Sequence, residues 1–443
     1  MIHLVAQFDW LEPFRSEVGL RIVLVGALTN VACALVGCYL VLRRMSLMGD
    51  AIAHAVLPGI VLAFLFSGSM NIVPLFIGAA AVGLLTTFLT QTLHQFGRVP
   101  TDAAMGAVFT SLFALGVVLL KRYITGIHFD VACVYEGSLT GVALDTVPLN
   151  LGRLGGWEVP RQLFTVLPVV ALNLAAILLL WKEFKLSAFD PGLATTMGYS
   201  ATVLHYLLMA LVAVTSVASF QAVGSILVVA MLIVPPATAQ LLCDRLSRMI
   251  VVACVFAVAS AIGGYWLAHK WDVSPAGAMA VFAGGMYAVA VLFAPQYGIV
   301  SALVRNLQTS LRILREDLLS MLYRDEELGG RPLTTGNAIA AVGGGWLARW
   351  ALALLKRRGR LTVATDGLHL TLDGRERAKR LVRGHRLWEA YLVKHLGLPL
   401  DHVHAPADRV EHFINQPLRD ELQKAVDGAQ QDPHGREIPD FRL

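Results

Sequence analysis

Apolar residues fall mostly into long unbroken runs. Those near 20–42, 70–93, 102–121, 163–181, 222–242, 247–268 and 275–296 are long enough to cross about 30 Å of hydrocarbon as helices. Two shorter runs, 51–68 and 202–217, are expected to span as well. The stretch 131–149 carries Glu136 and Asp145, and is expected to dip into the bundle without crossing. Eight or nine spans are therefore predicted. Small residues recur within them, as in GALTNVACALVG and IGAAAVG, which lets helix backbones approach closely in a solvent without a hydrophobic drive. Gly224 and the pair Pro235-Pro236 interrupt one run and predict a break or kink there.

The pattern changes after Pro295. LVRNLQTSLRILREDLLSMLYRDEEL sets apolar residues at helical spacing between charges, and reads as an amphipathic helix leaving the bundle. Helical runs around 333–358 lead into two short alternating stretches on either side of Asp366-Gly367, a predicted hairpin. Helix, helix and hairpin is a winged-helix order. Residues 376–397 and 406–426 are again predicted to be helical.

Composition sharpens the division. At 56% hydrophobic, 15% charged and mean hydropathy +0.63, the chain is not an ordinary soluble enzyme. Residues 1–300 hold 14 Lys+Arg and 13 Asp+Glu, whereas 301–443 hold 22 and 18, so a hydrocarbon-embedded part precedes a water-exposed one. A net charge of +5 makes no strong case for nucleic acid. Cys33, Cys38, Cys133, Cys243 and Cys254 form no CxxC pair and read as small buried fillers. The N-terminus lacks a basic region before its first apolar run, which is expected to be a retained span. With nine alternating spans, seven Lys/Arg fall on each side, so charge does not settle orientation.

Two membrane segments carry chemistry. RRMSLMGDAIAHAVLPGIVLAFL places Asp50 and His54 four apart, on one helical face at the start of a span. A carboxylate and an imidazole in that setting mark a transport path or, more plainly, pair with each other at the interface. Such ligands suit Mn²⁺, Zn²⁺ or Fe²⁺, but two do not complete a coordination sphere. WKEFKLSAFDPGLATTMGYS is polar, lies between two apolar runs, and carries Asp190-Pro191, a start signal for a short helix. That is an ordinary loop or a docking element.

The densest chemistry lies in GHRLWEAYLVKHLGLPLDHVHAPADRVEHF. Asp408, Glu411 and His412 stand at i, i+3 and i+4, and His385 and Glu389 share a face of the preceding helix. Carboxylate and imidazole without thiolate favour Mn²⁺, Fe²⁺ or Zn²⁺.

Taken together, the membrane segments resemble the permease subunit of ATP-binding cassette importers for manganese, zinc or iron, the family often called ABC-3, over about residues 15–297. The resemblance implies that Asp50 and His54 line the metal path. It also implies that residues 186–198, with Phe189, Asp190, Pro191, Leu193, Ala194 and Gly198, form a cytoplasmic coupling helix that docks on an ATPase. No GxxxxGK[ST] loop occurs in the chain, so it is expected to bind no nucleotide and not to be an enzyme. The implied partners are ABC ATPase subunits, an extracytoplasmic metal-binding protein, a second permease copy or a paralogue, and the lipid bilayer.

The tail, over about 314–440 and including QDPHGREIP, resembles metal-dependent repressors of the diphtheria-toxin-repressor type. That resemblance implies one site from Asp317, Asp408, Glu411 and His412, and a second formed or joined by His385, Glu389 and His404. His395, His402 and His434 have no such match and read as surface residues. The tail departs from the repressor pattern in AVGGGWLARWALALLKRR, where Gly345, Trp346, Leu347, Ala348 and Trp350 are poor readers of base edges. Lys356, Arg357, Arg358 and Arg360 suit phosphates, solvent or anionic lipid.

The expected fold is therefore an all-α polytopic membrane bundle over 1–298, a connecting amphipathic helix over 299–330, an α+β winged-helix-like domain over 331–382 and a helical metal-binding, dimerisation-like domain over 383–443. The expected protein is a multi-pass permease of a bacterial inner membrane with a cytoplasmic tail. Divalent Mn²⁺, Fe²⁺ or Zn²⁺ is its substrate and, in the tail, its regulator. The alternatives are a membrane-tethered, metal-dependent DNA-binding regulator and an importer of a vitamin or chelate.

Overall fold

In the computed structural model, residues 12–68, 72–123, 139–150 and 156–439 are described. The chain divides into two compact units, Met1–Ser301 and Ala302–Leu443.

The first unit is helical. Helices α1 (Glu17–Leu42), α2 (Met48–Ser67), α3 (Ile72–Gly97) and α4 (Thr101–Tyr123) are followed by the short α5 (Leu139–Leu144) and strands β1 (Thr146–Asn150) and β2 (Gly156–Pro160). Then come α6 (Leu163–Leu179), α7 (Trp181–Phe189), α8 (Pro191–Thr196), α9 (Ala201–Leu242), α10 (Leu246–Trp271) and α11 (Pro275–Phe293). Among the described residues, eight helical segments are long and apolar enough to cross a membrane, α9 counting as two (Ala201–Phe220 and Ala222–Leu242), or nine if α6 and α7 count as one bent span. The run 163–181 forms α6, and the chain turns by 78° where it gives way to the polar α7. Within the stretch expected to dip, Leu139–Leu144 is helical and Thr146–Asn150 pairs antiparallel with Gly156–Pro160. Glu136 and Cys133 lie outside the described residues.

Helix α1 is central, and Val25, Cys33, Val36, Cys38 and Tyr39 are wholly buried on it. Side-chain amides join helices where apolar contact alone gives little drive. Asn30 Nδ2 donates to the Ala257 carbonyl at 3.3 Å and Ser260 Oγ at 3.1 Å, and Asn173 Nδ2 donates to the Ala32 carbonyl at 3.2 Å and Thr215 Oγ1 at 2.8 Å. A Cβ on Gly37 would overlap the Leu232 carbonyl, so this glycine sets how closely α1 and α9 approach. The break predicted in α9 falls at Gly224 (φ 76°, ψ 166°), whereas Pro235 and Pro236 sit inside continuing helix.

The second unit begins within α12 (Ile299–Glu327), followed by α13 (Thr335–Ala341), α14 (Gly345–Arg357), β3 (Leu361–Ala364), β4 (Gly367–Leu370), α15 (Leu372–Leu396), α16 (His404–Val410) and α17 (Gln416–Ala425). The hairpin pairs Leu361 with Leu370 and Ala364 with Gly367. Helix α12 contributes Leu311, Leu318, Leu319 and Leu322 to a core shared with Leu352 and Leu355 of α14, Leu361, Leu368 and Val382. A smaller core joins Leu387, Ile414, Leu422, Val426 and Ile438.

Candidate metal sites

The ligand-bearing side chains of the second unit come from four places. Helix α12 supplies Glu316, Asp317 and Arg324; α15 supplies His385 and Glu389 one turn apart; α16 supplies His404 and Asp408. A 3₁₀ turn, Glu411–Phe413, supplies Glu411 and His412. Leu318, Leu319 and Leu322, buried on α12, anchor it so that Asp317 faces His412.

Three triads result, each with its ligand atoms within 4.8 Å of one another: His385, Glu389 and His404; Asp317, Glu411 and His412; and His385, Asp408 and Glu411. His385 Nδ1 donates to Glu411 Oε2 at 2.7 Å, and its Nε2 lies 3.0 Å from Glu389 Oε1 and 3.1 Å from His404 Nδ1. His404 Nδ1 is 2.8 Å from the same Glu389 oxygen. His385 and Glu389 are each only 2% exposed, which makes their charges costly unless paired. Burial opposes ionisation of Glu389, but hydrogen bonds from His385 and His404 outweigh it and hold the carboxyl at about 2. Burial likewise lowers the His412 pKa, yet bonds to Asp317 and Glu316 carry it up to about 10.

This donor set fits a metal ion. Two imidazole nitrogens and one carboxylate oxygen form a triangle with sides of 3.1, 3.0 and 2.8 Å. With protons on both nitrogens, two donors crowd one another; a cation would accept both lone pairs instead. Ligand bonds of about 2.1 Å set neighbouring donor atoms about 3 Å apart, as here.

Asp408 departs from the expected grouping. It joins His385 and Glu411, at 3.4 Å from His385 Nδ1, rather than Asp317 and His412. The α-helical winding ends at Val410 and a tighter 3₁₀ turn follows; Glu411 stays beside Asp408 on His385, while His412 turns to Asp317 and Glu316. His385, Glu389 and His404 come together as a group. His434, read as a surface residue, has Nε2 4.0 Å from Glu389 Oε1.

Two further residues were not legible as site residues. Glu316 accepts from His412 Nδ1 at 3.1 Å, and Arg324 Nη2 donates to Glu411 Oε2 at 3.3 Å. Their only sequence signal is proximity to Asp317 on α12, one residue before it and two turns after it. Asp317, Arg324, Asp408, Glu411 and His412 border a cavity of about 840 Å³.

In the first unit, Asp50 and His54 sit one turn apart in α2, with Nε2 3.3 Å from Oδ1 and both side chains partly exposed. The His54 ring packs between Phe109 and Phe113 of α4, at centroid distances of 5.9 and 6.0 Å. Among the described residues no third His, Cys, Asp or Glu completes a triad with them.

Asp190 caps α8, its Oδ1 accepting from the Leu193 amide at 2.9 Å, with Pro191 at the first helical position. Phe189, Leu193 and Met197 are exposed around it while Ala194 is fully buried. Gly198 has φ +89°, which ends the element. Arg43, at the end of α1, donates to Ser187 of α7 at 2.6 Å and to His205 of α9 at 3.2 Å, tying this segment to the bundle.

The comparisons with known proteins agree with this division. Residues 16–153 and 157–294 match the ABC 3 transport family, and residues 371–440 match the iron dependent repressor, metal binding and dimerisation domain. A manganese transport system membrane protein of Bacillus subtilis is 46% identical over 287 residues, 65% of this chain and 95% of that protein. A zinc transport system membrane protein of Treponema pallidum is 42% identical over 281 residues, covering 63% and 75%. A chelated iron transport system membrane protein of Yersinia pestis is 36% identical over 282 residues, covering 64% and 87%. Among solved structures, PsaBC from Streptococcus pneumoniae in complex with Fab matches with a TM-score of 0.54 and 28% identity, over 65% of this chain and 96% of that one.

Proposed function

This chain belongs to the ABC 3 transport family, and we propose that it is the permease subunit of an ATP-driven importer of divalent transition-metal ions, manganese, zinc or iron. The observation that carries the reading is the Asp50–His54 pair in an apolar helix, held at 3.3 Å. Its two ligands suit a cation in transit, which has to be released again, and a second permease copy or a paralogue supplies the rest of the coordination sphere. An extracytoplasmic binding protein delivers the ion. ATPase subunits dock on α8, whose exposed Phe189, Leu193 and Met197 surround a capped, buried-anchored turn. Closure of the ATPases moves α8, and through Arg43 the end of α1, switching the bundle between outward and inward states.

We assign residues 1–298 to translocation and the tail to metal sensing. His385, Glu389 and His404, with Asp317, Asp408, Glu411 and His412, would hold metal there, and a metal ion would cross-link α12, α15 and α16. Feedback on transport requires that one transport conformation bind it better than the other. DNA is a minor alternative, since Trp346 and Trp350 are exposed at 65% and 42% and stack at 6.2 Å where a reading helix needs polar side chains.

The test is ATP-driven uptake of free Mn²⁺, Zn²⁺ and Fe²⁺ into vesicles. Asp50→Ala and His54→Ala should each lower uptake at least tenfold with the complex still assembled. Normal uptake by Asp50→Ala would remove the pair from the path and favour a chelate importer.

A further inference from the structure

Away from the metal ligands, the second unit gathers arginines from three segments. Arg312 and Arg315 come from α12, Arg358 and Arg360 flank Gly359 just after α14, and Arg377 comes from α15. With Glu316 and Leu319 they line a cavity of about 120 Å³. Five cations face two carboxylates. Glu316 takes Arg312 at 3.4 Å and Arg377 at 3.6 Å but also serves His412, and Asp373 takes Arg360 at 3.0 Å. Arg315 donates Nε to the Leu311 carbonyl at 3.0 Å, and among the described residues no carboxylate lies within ion-pair distance of Arg315 or Arg358.

Like charges lining one small cavity repel, and an anion among them would relieve that repulsion. We propose that this cavity is a binding site for a phosphate-type oxyanion, either free phosphate or the headgroup of an anionic lipid. Guanidinium groups present paired N–H donors that match the oxygens of a tetrahedral oxyanion, which a single lysine cannot do. The cavity is about tenfold larger than one water requires, enough for one phosphate group. Free phosphate and an anionic lipid headgroup present the same oxygens to these guanidinium groups. Glu316 belongs to this cavity and also bonds His412, so the anion site borders the metal site without sharing its ligands. The proposal does not depend on the transport reading.

The test uses the full chain in nanodiscs of neutral phosphatidylcholine, with inorganic phosphate titrated at constant ionic strength. Saturable binding is expected, with a rise in the unfolding midpoint. Arg315→Gln/Arg358→Gln should weaken it at least tenfold and abolish the rise; the exposed single Arg358→Gln should weaken it severalfold. Arg312 is left intact because it also donates to the His412 carbonyl at 2.9 Å. These variants remove repulsion, so their midpoint without phosphate should not fall, and retained metal binding by the tail will show that they fold. Nanodiscs containing phosphatidic acid separate the sources: competition with inorganic phosphate assigns the site to a lipid headgroup, and unchanged phosphate binding assigns it to the free anion. No saturation, or equal affinity in all variants, would overturn the proposal. So would retention of duplex DNA alone, which would make the arginines a nucleic-acid face.

Discussion

At the scale of single residues, the tail site is set by where protons sit before metal arrives. His412, raised to about 10 by Asp317 and Glu316 against the opposing effect of burial, is protonated at neutral pH in the metal-free protein. Its folded-state pKa lies above the unfolded one. The stability it contributes is therefore complete below about 6.5 and is lost as pH rises through about 10. Thermal unfolding of the metal-free chain between pH 7 and pH 10 should show that loss, and His412→Gln should flatten it. A metal ion has to displace this proton, so competition against a chelator should show tail affinity rising about tenfold per pH unit across the same window. Glu389 behaves in the opposite sense. Its depressed carboxyl stabilises the fold above about 4.5 and loses that effect as pH falls through about 2, leaving the neutral range unaffected. Glu316→Gln keeps the shape but weakens the acceptor that orients His412. Tail metal affinity should fall about 10- to 100-fold, read by the same competition.

At the scale of elements, helix ends and close approaches carry the predictions. Asp190→Ala removes the side-chain N-cap of α8, at a cost of about 1 kcal/mol to a six-residue helix. Uptake should fall with cargo binding unchanged, and Asp190→Ser should restore most of it. If Asp190→Ala transports normally, α8 is not the coupling element. Gly224→Ala forces a side chain into a backbone region that essentially only glycine adopts, costing about 1–3 kcal/mol. Detergent-solubilised protein should show the drop in unfolding midpoint. The prolines Pro235 and Pro236 are absorbed without a recorded break, since neighbouring helices and local adjustment accommodate the freed carbonyls.

At the scale of the whole molecule, the two compact units suggest a simple dissection. A chain ending at Ser301 should transport but lose inhibition by metal loaded inside vesicles, whereas the intact chain should slow as internal metal rises. Equal inhibition of both would take the tail out of regulation. Much of this architecture was legible in the sequence, because span length, capping and alternation are local: the apolar runs, the Asp190-Pro191 helix start, the hairpin around Asp366 and the Asp50–His54 pair all lie within a few turns of chain. The 78° angle between α6 and α7 was not, since the change from apolar to charged residues at Lys182 marks where the run ends but not the direction the chain then takes. Only the tertiary structure decided how the tail ligands are shared out. His412 meets Glu316 across 96 residues and Glu411 meets Arg324 across 87, and Asp408 falls beside His385 of another helix. Residue spacing along one helix determines which side chains share a face, but which face of another element meets it depends on how the cores pack, and that is a property of the folded chain as a whole.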